Sequence, residues 1–120
     1  MIPLKYFKIS EFDCKCGCKS NKQTITFLKM IDKARTIAQA PFNITSGYRC
    51  FEHNKNVGGS PTSSHLRGVA ADIKYSNGLQ LVRIIFGLTK AGFTRIGINE
   101  DKQFVHVDCD SSKPDAIFTY

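Results

Sequence analysis

Apolar residues recur at helical spacing after Thr24: Phe27, Leu28, Ile31, Ala34 and Ala38 lie three or four positions apart. Residues so spaced share one side of an α-helix, and the Thr24 hydroxyl can accept from an orphan backbone donor at its start. Pro41 bars continuation, because it has no amide proton and its ring clashes with the preceding turn. Residues 42–46 then read as a short strand ending at Gly47, and residues 51–56 as a brief helix closed by Gly58 and Gly59. A Ser/Gly/Pro loop spans 60–68, and a strand 69–75. Asn77 caps a second helix with Leu79, Val82, Ile85, Phe86 and Leu88 on its apolar side, ended by Gly92. Strands over 95–99 and 103–109, joined through Glu100, Asp101 and Lys102, form a hairpin. Residues 1–23 form an irregular arm rich in Lys and Cys. With no repeat and no linker, the pattern predicts one domain over residues 1–120. Its expected class is α+β, an antiparallel sheet packed against helices.

Composition narrows the classes of function. A chain of 120 residues with 42% hydrophobic and 22% charged residues can bury a core without cross-links. No apolar run approaches the roughly 20 residues of a membrane span, so membrane insertion is not expected. The N-terminal residues lack the apolar stretch and cleavage site of a secretory signal, so the chain is expected to be made in the cytoplasm unless a signal has been removed. The net charge of +7 favours polyanionic surroundings such as nucleic acid, anionic lipid or bacterial wall polymers. The basic residues are scattered, and no basic run is interleaved with stacking aromatics, so nucleic acid is not the expected partner.

Five cysteines are present: Cys14, Cys16 and Cys18 in a cluster, with Cys50 and Cys109 apart. Three readings are open, in this order: reduced thiols, a disulfide from the cluster to Cys50, or a thiolate metal site completed by Cys50 or Cys109.

His65 and Asp72 are seven residues apart, and His106 follows in an apolar run. Two imidazoles and a carboxylate are a donor set typical of catalytic zinc, which keeps a fourth position open. Asp72 and His106 fall on expected strands, and neighbouring strands about 4.8 Å apart would let both reach one ion.

These stretches resemble the M15 metallopeptidases, which include zinc D-Ala-D-Ala carboxypeptidases and small phage endolysins. Ser46-Gly47-Tyr48-Arg49 matches the family's Ser-Gly-Tyr-Arg segment, and Asn54 to Gly59 its Gly-terminated turn. Ser63 through Asp72 fits Ser-x-His-x-x-Gly-x-Ala-x-Asp, and His106-Val107-Asp108 a closing His-Val-Asp, so the resemblance covers roughly residues 43 to 109. It implies one zinc ion on His65, Asp72 and His106, in an α+β fold shared with D-Ala-D-Ala peptidases and the hedgehog signalling domain.

A carboxylate is needed to take a proton from water and pass it to the leaving amine. Asp108 ranks first, since on a strand it leaves the same face as His106 and it fills the motif; the other reading of Asp108 is a partner orienting that histidine. Glu100 and Asp101 are the alternatives, against a reading as solvated turn residues. In other branches the acid precedes the last histidine by a few residues, but three before His106 stands Gln103, which cannot be a base. The resemblance sets Arg49 at the substrate, binding a carboxylate and stabilising an oxyanion, with Ser63 beside it as a hydrogen-bond donor. The function implied is a zinc peptidase acting as a monomer on peptidoglycan stem peptides, as carboxypeptidase or endopeptidase. It would serve in wall lysis or remodelling, as in a phage endolysin released by a holin. The alternative is a non-catalytic, zinc-containing binding module of the same fold.

Overall fold

The computed structural model describes residues 3–120. Two long helices, α1 (Ile25–Ala38) and α3 (Gly78–Lys90), a short α2 (Phe51–Asn56) and five strands make up the fold. The strands are β1 (Asn43–Ser46), β2 (Ala70–Lys74), β3 (Arg95–Asn99), β4 (Phe104–Asp108) and β5 (Ala116–Thr119), ordered β1-β2-β4-β3-β5 in one sheet. The class is α+β, as the pattern predicts.

Helix α1 forms where its periodicity and cap place it. Thr24 accepts from the Phe27 amide, and all five predicted apolar residues are buried. Helix α3 has the expected cap, Asn77 accepting from the Gln80 amide, but a different buried side. Ile84, Gly87 and Leu88 face inward, while Leu79, Val82 and Phe86 are exposed by 67%, 66% and 51%. The helix carries two apolar stripes, and close approach selects between them. A side chain at Gly87 would collide with the Ala34 carbonyl and Ala38, so α3 meets α1 at its glycine.

The sheet is antiparallel through β1, β2, β4 and β3, and β5 adds parallel to β3. The expected all-antiparallel sheet therefore gains a fifth strand and one parallel pair. The added strand has alternating half-buried and exposed positions, a weaker hydrophobic signal than its neighbours carry. Alternation along the central strands divides their side chains between two faces. Ala71, Ile73, Val105, Val107 and Ile96 join Phe27, Ile31, Ile84 and Leu88 in the core, so the helices cover that face. Asp72, His106 and Asp108 occupy the intervening positions and leave from the other face.

The arm before α1 is more ordered than its composition suggests. It contains a 3-10 turn at Ile9–Phe12, and Phe7 and Phe12 pack into the core through edge contacts with each other and with Phe27.

Candidate metal centre

Asp72 and His106 are direct cross-strand partners in the β2–β4 register, so their side chains stand side by side. His65 reaches them from a 3-10 turn at Ser64–Arg67. Ser63 caps that turn by accepting from the His65 amide at 3.2 Å. Gly68 ends it in left-handed conformation, φ +70°, with its α-carbon packed so closely on the Lys22 carbonyl that no side chain fits. The His65 carbonyl accepts from the Arg49 amide, which ties the turn to the segment following β1.

The ring nitrogens are assigned by their other partners. His65 Nδ1 lies 2.7 Å from the Gly47 carbonyl, which can only accept, so Nδ1 carries the proton and Nε2 presents a lone pair. His106 Nε2 lies 2.8 Å from Asp108 Oδ2, which leaves Nδ1 to face Asp72. Asp72 Oδ1 is then 3.3 Å from His65 Nε2 and 3.1 Å from His106 Nδ1. Donors held at roughly 2.0–2.2 Å around one tetrahedral ion stand about 3.3–3.6 Å apart, so this set is near the size of a zinc shell. All three donor atoms lie within 4.8 Å of one another. Two nitrogens and one carboxylate oxygen also suit zinc chemically, so the residues fit the ion.

The electrostatics favour a cation. Burial pushes the Asp72 carboxyl upward, but hydrogen bonds with His106 and His65 outweigh it and hold the acid below the ordinary carboxylate range. Burial likewise opposes ionisation of Asp108, and His106, the Asp110 amide and Arg95 overcome it. Two ionised carboxylates therefore stand beside the histidine pair. His106 responds: burial lowers its pKa, while Asp108 and Asp72 raise it by more.

Asp108 is fully committed. Its Oδ1 accepts from Arg95 Nε at 2.9 Å and from the Asp110 amide at 3.1 Å, its Oδ2 faces His106, and its side chain has no exposed surface. Glu100 and Asp101 are exposed in the β3–β4 turn, beside a hollow that includes Ile98 and Thr119 rather than the histidines.

Arg49 stands at the rim with its fork held on three sides. Nε donates to Ser46 Oγ at 3.2 Å, one terminal nitrogen to Asn54 Oδ1 at 3.2 Å, and the other lies 3.5 Å from Asp72 Oδ2. A cleft of about 250 Å³ opens here, bordered by Arg49, Ser63, Lys113, Phe118 and Tyr120 as well as the three donors. Ser63 spends an oxygen lone pair on the His65 amide, so its proton remains available to the cleft.

Several residues at this site escaped the sequence reading. Arg95 stands opposite Asp108 in the β3–β4 register, one position from where a turn through residues 100–102 alone would set it. Asn54 lies in the matched Gly-terminated turn, but nothing local showed that it would be buried and hold Arg49. Tyr120 enters the cleft only because β5 forms. Burial and the carboxylates of Asp72 and Asp108 push its phenol up to about 12 against the opposing Arg49, so it stays a hydrogen-bond donor at neutral pH.

A search of curated proteins returns no match for the chain. The family described as Peptidase M15 matches residues 5–108, extending the likeness into the N-terminal arm. That span carries all three donors and most of the sheet. The chain therefore belongs to the M15 peptidases, a family of zinc-dependent metallopeptidases.

Proposed function

We propose that this chain is a zinc metallopeptidase hydrolysing the stem peptides of bacterial peptidoglycan, as a carboxypeptidase or endopeptidase in wall lysis or remodelling. The observation that carries the reading is the convergence of His65 Nε2, Asp72 Oδ1 and His106 Nδ1 at the wall of an open cleft, with an anchored arginine beside them. Zinc held there supplies Lewis acidity, which polarises a carbonyl oxygen and makes water nucleophilic near neutral pH. The residues of the chain supply the rest. Gly47 and Asp108 hold the two imidazoles in the tautomers that leave Nε2 and Nδ1 free. Arg49, held by Ser46 and Asn54, offers a fixed charge for a substrate carboxylate or a developing oxyanion. Ser63 and the protonated Tyr120 phenol add neutral donors to the same cleft. The cationic rim of Arg49 and Lys113 suits a substrate rich in carboxylates.

Digestion of defined muropeptides with and without a chelator, with new ends identified by mass, tests the reading. Fragments that appear only with zinc support it; intact substrates with zinc supplied defeat it.

One observation favours the second reading, a zinc-containing binding module. Asp108 is engaged on both oxygens, and Glu100 and Asp101 line a neighbouring hollow without the histidines, an arrangement that offers no ready base among these three. Binding of muropeptides without turnover would favour this reading.

A further inference from the structure

We propose that Cys14, Cys16, Cys18 and Cys50 form a second metal site, a structural zinc tetrathiolate that clamps the N-terminal arm to the segment carrying Arg49.

The four Sγ atoms all lie within 4.8 Å of one another. Cys14 and Cys16 are 3.5 Å apart, and Cys16 and Cys50 are 3.7 Å apart. Four sulfurs each about 2.3 Å from one tetrahedral ion would be separated by about 3.8 Å, whereas a disulfide requires about 2.0 Å. The cluster thus has the dimensions of a shell around a shared ion, and four sulfurs are the number a closed zinc site takes. Three cysteines so close in sequence converge because the chain reverses among them. Residues 15–18 form a turn, with Gly17 at φ +97° and Lys19 at φ +59° on either side of Cys18.

Backbone donors are already aimed at the sulfurs. The Ser20 amide points at Cys18 Sγ (3.4 Å), the Cys50 amide at Cys14 Sγ (3.3 Å) and the His53 amide at Cys50 Sγ (3.4 Å). N–H groups directed at sulfur stabilise thiolate charge, which a metal requires and a buried neutral thiol does not. A four-thiolate set selects a soft or borderline cation over magnesium or calcium. Cys109 lies outside the group.

The site's position gives it a purpose. Cys50 follows Arg49 directly and the Tyr48 amide donates to the Phe12 carbonyl, so the arm and the arginine segment already meet. Metal across Cys14 and Cys50 fixes that junction while leaving the histidine centre open. The four thiols give up their protons on binding, so the clamp depends on a reduced, metallated state.

The test is zinc content of the full chain by mass spectrometry under non-denaturing conditions, repeated with cobalt(II) in place of zinc. The expected results are two zinc ions in the natural chain and one each in Cys16→Ser/Cys18→Ser and His65→Ala/His106→Ala. Both substituted cysteines are exposed, so packing is little disturbed. Cobalt in the histidine variant should show intense ultraviolet sulfur-to-metal absorption, and the cysteine variant should lack it. Should the cysteine variant not fold, the cobalt spectrum of the histidine variant decides alone. One zinc in the natural chain with the cysteine variant unchanged would overturn the proposal. So would a mass two daltons low from a disulfide, or thiols alkylated equally fast with and without zinc.

Discussion

His106 has two ring nitrogens with opposite tasks, and Asp108 sets which does which. Its Oδ2 accepts a hydrogen bond from Nε2–H at 2.8 Å, and Arg95 fixes its Oδ1 at 2.9 Å. We propose that Asp108 positions this histidine rather than serving as the base. The two roles separate experimentally. Asp108→Ala removes the acceptor and should weaken zinc affinity by about 10–100-fold, measured by competition with a chromogenic chelator. Asp108→Asn keeps a carbonyl for Nε2 and should hold zinc far better. A base would show the reverse pattern: unchanged zinc affinity in both variants, with turnover reduced by roughly 10²–10⁴-fold. Arg49 is the second residue whose role rests on fixed geometry. Arg49→Lys keeps the charge but loses the fork that Ser46 and Asn54 hold, so kcat/KM on muropeptides should fall nearly as far as in Arg49→Ala, by about 10²-fold. Full activity in Arg49→Lys would show that charge alone suffices. The sequence displayed both residues, but the orientation of an imidazole is a property of its neighbours.

Elements differ in how much of their placement was local. Helix α1 needed only periodicity and a cap, and residues chosen on that basis are its buried ones. Helix α3 had two apolar stripes, and only contact at Gly87 against Ala34 and Ala38 decided between them. The turn carrying His65 lies between these cases. Its capping serine and closing glycine are visible in the sequence, yet the glycine is needed as much for its contact with the Lys22 carbonyl as for its left-handed backbone. Gly68→Ala should therefore cost about 2–4 kcal/mol, combining left-handed strain with overpacking. Denaturant unfolding measures it; a loss below about 1 kcal/mol would mean the Lys22 segment moves aside freely. The missed β5 brings Phe118 and Tyr120 to the cleft, so an element too weak to predict helps shape the site.

At the scale of the molecule, Asp110 links the two halves of the centre. Buried beyond the end of β4, it accepts from Ser64 Oγ at 2.7 Å, next to His65, and pairs with Arg67 at 3.0 Å. Burial opposes its ionisation, but Ser112, Ser64 and Arg67 lower its pKa to about 2. A folded-state pKa below the unfolded value means the native protein binds fewer protons. The stabilisation is thus fully present above about pH 4 and lost as pH falls toward 2. Asp110→Asn should be less stable by about 2 kcal/mol at neutral pH, with the gap closing between pH 4 and 2 in parallel denaturant titrations. A gap independent of pH would exclude the ionised carboxylate as its source. The sequence by itself determined α1, the short α2, the β3–β4 hairpin and the α+β class, because periodicity, caps and turn signals act over a few residues. Tertiary structure alone decided the side on which α3 packs, the fifth strand, the commitment of Asp108 to His106 and Arg95, and the meeting of Cys50 with the sulfurs of Cys14, Cys16 and Cys18. Each of these depends on how separate elements meet or how side chains turn within the fold, which no local pattern encodes.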